Sequence, residues 1–154
     1  YYDLIFGADW AAEFKFLTAA FEKHCSPVKG KPKVQRVIEP ACGTGRLVYR
    51  MAKSGLACDG FDLNARAIEY CNARLKKNNL PESTWVADMT NFKIKRSYDA
   101  AFNTINSFRH LGTEQACLDH FAALAQVIRP GGIYALGLHL TPLQGTPTDE
   151  ESWT

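Results

Sequence analysis

Val37-Ile38-Glu39-Pro40-Ala41-Cys42-Gly43-Thr44-Gly45-Arg46-Leu47 decides how the rest of this chain is read. From Val34 to Ile38 the β-branched residues predict a short buried strand, and Leu47, Val48 and Met51 open an apolar helical stripe. Between them lies a turn with two glycines and no bulky side chain before Arg46. A strand that enters such a turn and leaves it as a helix presents free backbone N–H groups at the helix N-terminus. The glycines also let a ligand lie close against the main chain. Glu39, at the strand's end, is placed to meet a positive group or a hydroxyl on that ligand. The pattern is that of a cofactor cradle.

Outward from this stretch, strands and helices alternate. Upstream, Trp10 to Cys25 reads as a helix with Phe14, Leu17 and Phe21 on one face, Asp9 as N-cap and Pro27 as its stop. Downstream, the first helix runs to about Ser54 and is terminated by Gly55. Strand two is Ala57 to Asp62, followed by a helix from Ala65 to Lys77. Strand three is about Thr84 to Ala87, with Asp88 after it, and strand four is Tyr98 to Asn103. Thr113 caps a helix whose Cys117, Phe121, Leu124 and Ile128 share a face, and Arg129-Pro130-Gly131-Gly132 turns into strand five, Ile133 to His139. This alternation predicts an α/β fold with a parallel, doubly wound sheet. Ligands of such sheets bind beyond the carboxyl ends of the strands, and Glu39, Asp62, Asp88, Asn103 and His139 all end strands.

The 154 residues fit one domain, and 46% hydrophobic with 22% charged residues is an ordinary globular balance. A net charge of +2 and a pI of about 8.3 give no reason to expect nucleic acid or an acidic membrane as partner. The small basic clusters around Lys31 and Lys95 read as solvated loops. Five scattered cysteines without a C-x-x-C pair predict neither a disulfide framework nor a zinc site, and point to buried thiols in a reducing cytoplasm. No apolar run is long enough to span a bilayer.

The glycine spacing discriminates between cofactors. A dinucleotide fingerprint needs a third glycine three residues after the second, and that position is Val48. A phosphate-binding P-loop needs a lysine directly after the second glycine, and none occurs before Lys53. The segment instead resembles motif I of the class I S-adenosylmethionine (SAM)-dependent methyltransferases, an acidic-x-Gly-x-Gly-x-Gly pattern in which Ala41 stands for the first glycine. Gly60-Phe61-Asp62-Leu63-Asn64 resembles the family's second motif and Ala87-Asp88-Met89 its third. Tyr98 to Asn103 is similar to the fourth, and Ile128 to Ile133 to the Leu-x-Pro-Gly-Gly signature before strand five.

The resemblance implies a Rossmann-like core and SAM as cofactor, with S-adenosylhomocysteine (SAH) as product. Glu39 would help hold the methionyl ammonium, and Ala41, Cys42, Gly43, Gly45 and Arg46 would line the cofactor's path. Asp62, 17 residues beyond Gly45, would accept the ribose hydroxyls with Leu63 beside it. Asp88 would meet the adenine amino group while Met89 covers a ring face, and Asn103 would complete the cofactor site. For each acid the plainer role is local: Asp62 as a helix cap, Asp88 as a turn former. No metal is expected.

The loop after strand four, Asn103 to His110, faces the methyl group in this fold. It lacks the Asn/Asp-Pro-Pro-aromatic motif of amide and DNA N-methyltransferases, the Pro-Cys nucleophile of cytosine C5 enzymes, and a 2′-O tetrad lysine. These absences favour a small-molecule acceptor, with N or O undecided. Tyr1, Tyr2, Asn106, Arg109, His110 and His139 are candidate active-site groups, and His110, His139 and Tyr2 the catalytic candidates. Their plainer role is to hydrogen-bond loop backbone. His24 and His120, on helices, read as structural or exposed.

The expected organisation is an N-terminal helical cap over 1–33, a SAM-binding core over 34–140, and a loop over 141–154. Only fifteen residues follow His139, so strands six and seven of the full fold are expected in a C-terminal part beyond this sequence. The function expected is SAM-dependent methylation of a small molecule. The alternatives are an RNA or protein methyltransferase, or a SAM-binding regulatory or scaffold protein without turnover. Oligomeric state is left open.

Overall fold

The structure is a computed structural model that describes residues 10–30 and 32–138. Its elements in order are α1 (Trp10–His24), β1 (Arg36–Pro40), α2 (Arg46–Lys53), β2 (Ala57–Asp62), α3 (Ala65–Lys77), β3 (Thr84–Val86), β4 (Tyr98–Asn103), a 3-10 turn (Ser107–His110), α4 (Glu114–Val127) and β5 (Ile128–Leu136). The five strands form one parallel sheet in the order β3-β2-β1-β4-β5. The chain's direction across the sheet reverses between β1 and β4, which puts a crevice at their carboxyl ends.

Strands buried on both faces carry near-continuous apolar runs, and alternate side chains serve opposite cores. Val37, Ala100 and Phe102 join Leu17 and Phe21 of α1, Leu47, Val48 and Met51 of α2, and Cys71 and Leu75 of α3. Ile38, Phe61 and Ala101 point the other way, into a core with Leu124 and Val127 of α4. Truncating a fully buried side chain such as Leu47 to Ala costs about 2–5 kcal/mol. Asn64 starts α3 by accepting from the N–H groups of Arg66 and Ala67, and Thr113 starts α4 by accepting from that of Ala116.

Two boundaries differ from expectation. β1 begins at Arg36 rather than Val34, because Asp99 Oδ2 accepts from the Gln35 and Arg36 N–H groups at 2.8 and 2.9 Å. A side chain thus replaces the ladder at the strand's entry. β5 begins at Ile128, before the expected turn, since Tyr98 already pairs with Ile128 and the next pair is Ala100 with Ile133. Residues 129–132 bulge out of the ladder, and Arg129 fills the bend with Nε to Asp99 Oδ1 (2.6 Å) and Nη2 to the Ser26 carbonyl (2.8 Å). The strand ends at Leu136, with Gly137 and Leu138 already outside it, short of the expected ending at His139, a residue that itself lies outside the described ones. The other strands and helices lie within a residue or two of their expected bounds, but the face that α4 buries is His120, Leu124 and Val127 rather than the expected Cys117, Phe121, Leu124 and Ile128: Phe121 is 42% exposed and Ile128 already belongs to β5.

Candidate functional site

The crevice has two connected parts that share Ala41 and Ser107. One is a tight recess between the turn after β1 and the end of β4, faced by Glu39, Gly43, Arg46, Asn103 and Thr104. The other is a cavity of about 240 Å³ faced by Asp62, Leu63, Ala87, Met89 and His110. A roomier cavity, about 450 Å³, lies toward the amino-terminal ends of β3 and β4, around Asp59. There the carboxylate is already answered by the Tyr98 hydroxyl at 2.7 Å and Arg96 at 3.1 Å. Unanswered polar groups collect instead in the smaller crevice.

Three of them meet in the recess. Glu39 is only 9% exposed and its Oε2 has no hydrogen-bond partner among the described residues. Burial pushes its carboxyl well above the ordinary range, against the pull of the Arg46 charge and a bond from the Val48 N–H. Arg46 is equally buried: Nη2 donates to Glu13 Oε2 of α1 at 2.5 Å, whereas Nη1 has no partner among the described residues. Asn103 donates through Nδ2 to the Pro40 carbonyl at 2.8 Å, and its buried Oδ1 has no partner among the described residues. Buried polar atoms are nearly always paired, so two acceptors beside a guanidinium N–H, all without partners among the described residues, suit a ligand that carries both a positive and a negative group.

The turn itself explains why glycines stand where they do. Gly45, the N-cap of α2, has φ +68°, and a Cβ there would lie 2.1 Å from Cys71 Sγ. At Gly43 (φ +53°) a Cβ would meet no protein atom within 4 Å, since that side opens on the crevice. Ala41 adopts φ +52°, a left-handed conformation that costs a non-glycine residue about 1–2 kcal/mol. Helix and sheet approach closely without a third glycine in the turn, because Gly60 on β2 supplies the room. A Cβ at Gly60 would lie 2.9 Å from Val48 Cγ2.

In the second part, Asp62 locks two loops at once: Oδ2 accepts from the Gly43 N–H and Oδ1 from the Asn64 N–H, both at 2.8 Å. It therefore does not cap α3; Asn64 does. Each Asp62 oxygen keeps a further lone pair for a hydroxyl. Leu63 is 68% exposed at the rim, and Met89 forms part of the wall. Asp88 is exposed, and its Oδ1 accepts from both the N–H and the hydroxyl of Thr90 at 2.8 Å, the turn-forming role. Ala87 and Met89, on either side of it, face the cavity.

Among the catalytic candidates, His110 is exposed and faces the second cavity from the 3-10 turn, with Arg109 beside it. Asn106 begins that turn at φ +48°. Tyr1, Tyr2 and His139 lie outside the described residues. Sequence reading passed over Glu13, whose Oε2 also accepts from the Thr104 hydroxyl at 3.1 Å. No local pattern marks an exchange between α1, the start of α2 and the loop after β4. Among the described residues no cluster of three or more His, Cys, Asp or Glu is arranged for a metal ion, and no helix is long and apolar enough to cross a membrane.

Comparison with known proteins agrees with this geometry. A family model described as a methyltransferase domain matches residues 37–132. The chain is 30% identical over 110 residues to an S-adenosyl-L-methionine-dependent Diels-Alderase of Talaromyces variabilis, covering 68% of this chain and 36% of that protein. It is 24% identical over 135 residues to the dTDP-3-amino-3,4,6-trideoxy-alpha-D-glucopyranose N,N-dimethyltransferase of Streptomyces venezuelae, covering 86% and 53%. The fold matches the sugar N-methyltransferase KedS8 of a Streptoalloteichus species with a TM-score of 0.77 at 22% identity, over 95% of this chain and 57% of that one. The chain thus spans between a third and somewhat over half of the lengths of these proteins.

Proposed function

The chain belongs to the methyltransferase-domain family, in its class I SAM-dependent branch, and from that premise we propose that it methylates a small-molecule amine, an amino sugar carried on a nucleotide being the favoured acceptor. The observation that carries the cofactor assignment is the recess of Glu39 Oε2, Asn103 Oδ1 and Arg46 Nη1, three buried polar atoms without partners among the described residues. An amino-acid end, with its ammonium and carboxylate, answers all three. A dinucleotide's pyrophosphate would answer only the guanidinium and would repel Glu39. Asp62 would then hold the ribose hydroxyls, Leu63 and Met89 would flank the base, and Asp88 would reach its amino group. The turn from Ala41 to Gly45 lies beneath.

When bound, SAM supplies a methyl group already activated on a sulfonium. This chain's task is accordingly to hold and to orient. Fixing a nucleophile in line with the bond to be broken is worth about 7–11 kcal/mol. Glu39, Arg46 and Asn103 anchor one end and Asp62 the other, which leaves the loop from Asn103 to His110 facing the acceptor. An amine arrives protonated at neutral pH, and His110 at the mouth is placed to take that proton. Tyr2 and His139 are the further candidates for this role. Nitrogen is favoured over oxygen as the acceptor atom because relatives of this fold are named as sugar N-methyltransferases. A reducing, cytoplasmic setting fits the cysteines, none of which forms a disulfide among the described residues.

The test is transfer of labelled methyl from SAM to nucleotide-linked amino sugars, with the corresponding hydroxy sugars in parallel. Label on nitrogen is expected. The Diels-Alderase relative supports a second reading, use of the cofactor without methyl transfer. SAH binding with no label on any acceptor would favour that reading, whereas label in RNA or protein would move the acceptor class.

A further inference from the structure

We propose that His120 is a positioning residue for the adenosyl half of the crevice, holding two of its walls from behind. The inference rests on the reading above that the cavity beside Met89 takes the adenosyl group. His120 is on α4, a helix that contributes no side chain to that cavity, and it is completely buried. Both ring nitrogens are engaged at 3.0 Å, Nδ1 with the Met89 carbonyl and Nε2 with the Tyr134 hydroxyl. A carbonyl only accepts, so Nδ1 carries the proton and Nε2 accepts from Tyr134. Burial lowers the imidazole's proton affinity, in keeping with this neutral tautomer.

The same ring packs edge-on against Phe108 at 5.6 Å between centroids. Phe108 belongs to the 3-10 turn that delivers Ser107 and His110 to the cavity, and Met89 forms the wall after β3. One side chain thus ties the loop after β3, the turn after β4 and, through Tyr134, strand β5. Filling a core requires only an apolar ring. A buried imidazole with both nitrogens satisfied costs desolvation and returns a defined direction, which here is that of the Met89 backbone.

The experiment compares His120→Phe, His120→Asn and Tyr134→Phe with the unsubstituted chain. Two ligands are titrated calorimetrically: SAH, and 5′-deoxy-5′-methylthioadenosine, which lacks the amino-acid end. Thermal unfolding is followed in parallel. His120→Phe should weaken both ligands by the same factor, roughly 5- to 30-fold, the equivalent of one lost buried hydrogen bond. His120→Asn, whose amide N–H can stand in for Nδ1–H, should restore most of that loss. Tyr134→Phe should lower the unfolding midpoint while leaving both affinities within about twofold, because the Met89 bond is kept. The proposal is overturned if His120→Phe only lowers the midpoint, or if SAH alone is weakened. Should that variant not fold, His120→Asn binding worse than Tyr134→Phe by tenfold or more would equally overturn it. An unsubstituted chain that binds neither ligand would overturn the cofactor reading, and this assignment with it.

Discussion

The guanidinium of Arg46 stands between two carboxylates, bonded through Nη2 to Glu13 Oε2 at 2.5 Å and pulling by its charge on the buried Glu39. Glu13 comes from α1 and Glu39 from β1, so the first residue of α2 connects the helix before the sheet to the floor of the crevice. Its other terminal nitrogen, Nη1, is buried without a partner among the described residues.

That arrangement predicts opposite effects of Glu39→Gln on stability and on binding. Burial raises the Glu39 pKa in the folded protein. The folded state therefore holds this proton more tightly than the unfolded chain, and stability declines as pH rises from the ordinary carboxylate value through the folded one. Glu39→Gln removes that decline. At pH 8 the ligand-free variant should melt at or above the unsubstituted protein, while SAH affinity falls by about 1.5–3 kcal/mol for the lost charged hydrogen bond. Melting curves with and without SAH at pH 6 and 8 check both halves. A destabilised variant with full affinity would refute the assignment.

Asp62→Ala should weaken SAH binding by about 1–3 kcal/mol, the cost of leaving hydrogen-bonding groups without their partner. Part of the loss comes from releasing the Gly43 N–H, so the turn after β1 should become more mobile. Hydrogen exchange at Gly43 with calorimetry reads the two effects together. Unchanged affinity in a folded variant would exclude the ribose role.

Two glycines should fail in different ways. Gly60→Val drives a side chain into Val48 and Cys42, at 2.9 and 3.0 Å from the new Cβ. Overpacking of that kind destabilises by about 1–3 kcal/mol. At Gly43 the new Cβ meets no protein atom within 4 Å, so Gly43→Val pays mainly for its positive φ, about 1–2 kcal/mol, while adding bulk to a residue that lines the crevice. The first variant should unfold early and bind once folded; the second should fold and not bind. Denaturation midpoints set beside SAH affinities separate them.

Asp99 anchors the far end of the sheet. Burial raises its pKa, but the Arg129 bond and the Gln35 and Arg36 N–H groups outweigh burial and leave it low. Its contribution is present above the ordinary carboxylate pKa and is lost as pH falls through the folded value. Asp99→Asn should destabilise by about 1–3 kcal/mol at pH 7, with the difference shrinking below pH 4. A constant deficit across that range would assign the effect to packing instead.

Much of this was legible in the sequence. The run from Val37 to Leu47 carries its own strand period, turn glycines and helical stripe, and the acids that close β1 and β2 follow from topology. What escaped depended on distance in sequence. Glu13 reaches Arg46 across 33 residues and His120 reaches Met89 across 31, and no local period encodes either pair. The start of β1 was misread for the same reason, since its first N–H groups bond to a side chain more than 60 residues away. Asp88 shows a different limit: an acid after a strand can turn the chain or face a ligand, and the residue type is the same.

The central claim is that the crevice reads an amino-acid end joined to an adenosyl end. Calorimetric titration with SAH, with NADH as the parallel ligand, tests it most directly. The account predicts a single saturable site for SAH and no heat of binding for NADH. Binding of NADH without SAH would contradict it and would return the turn after β1 to the dinucleotide class.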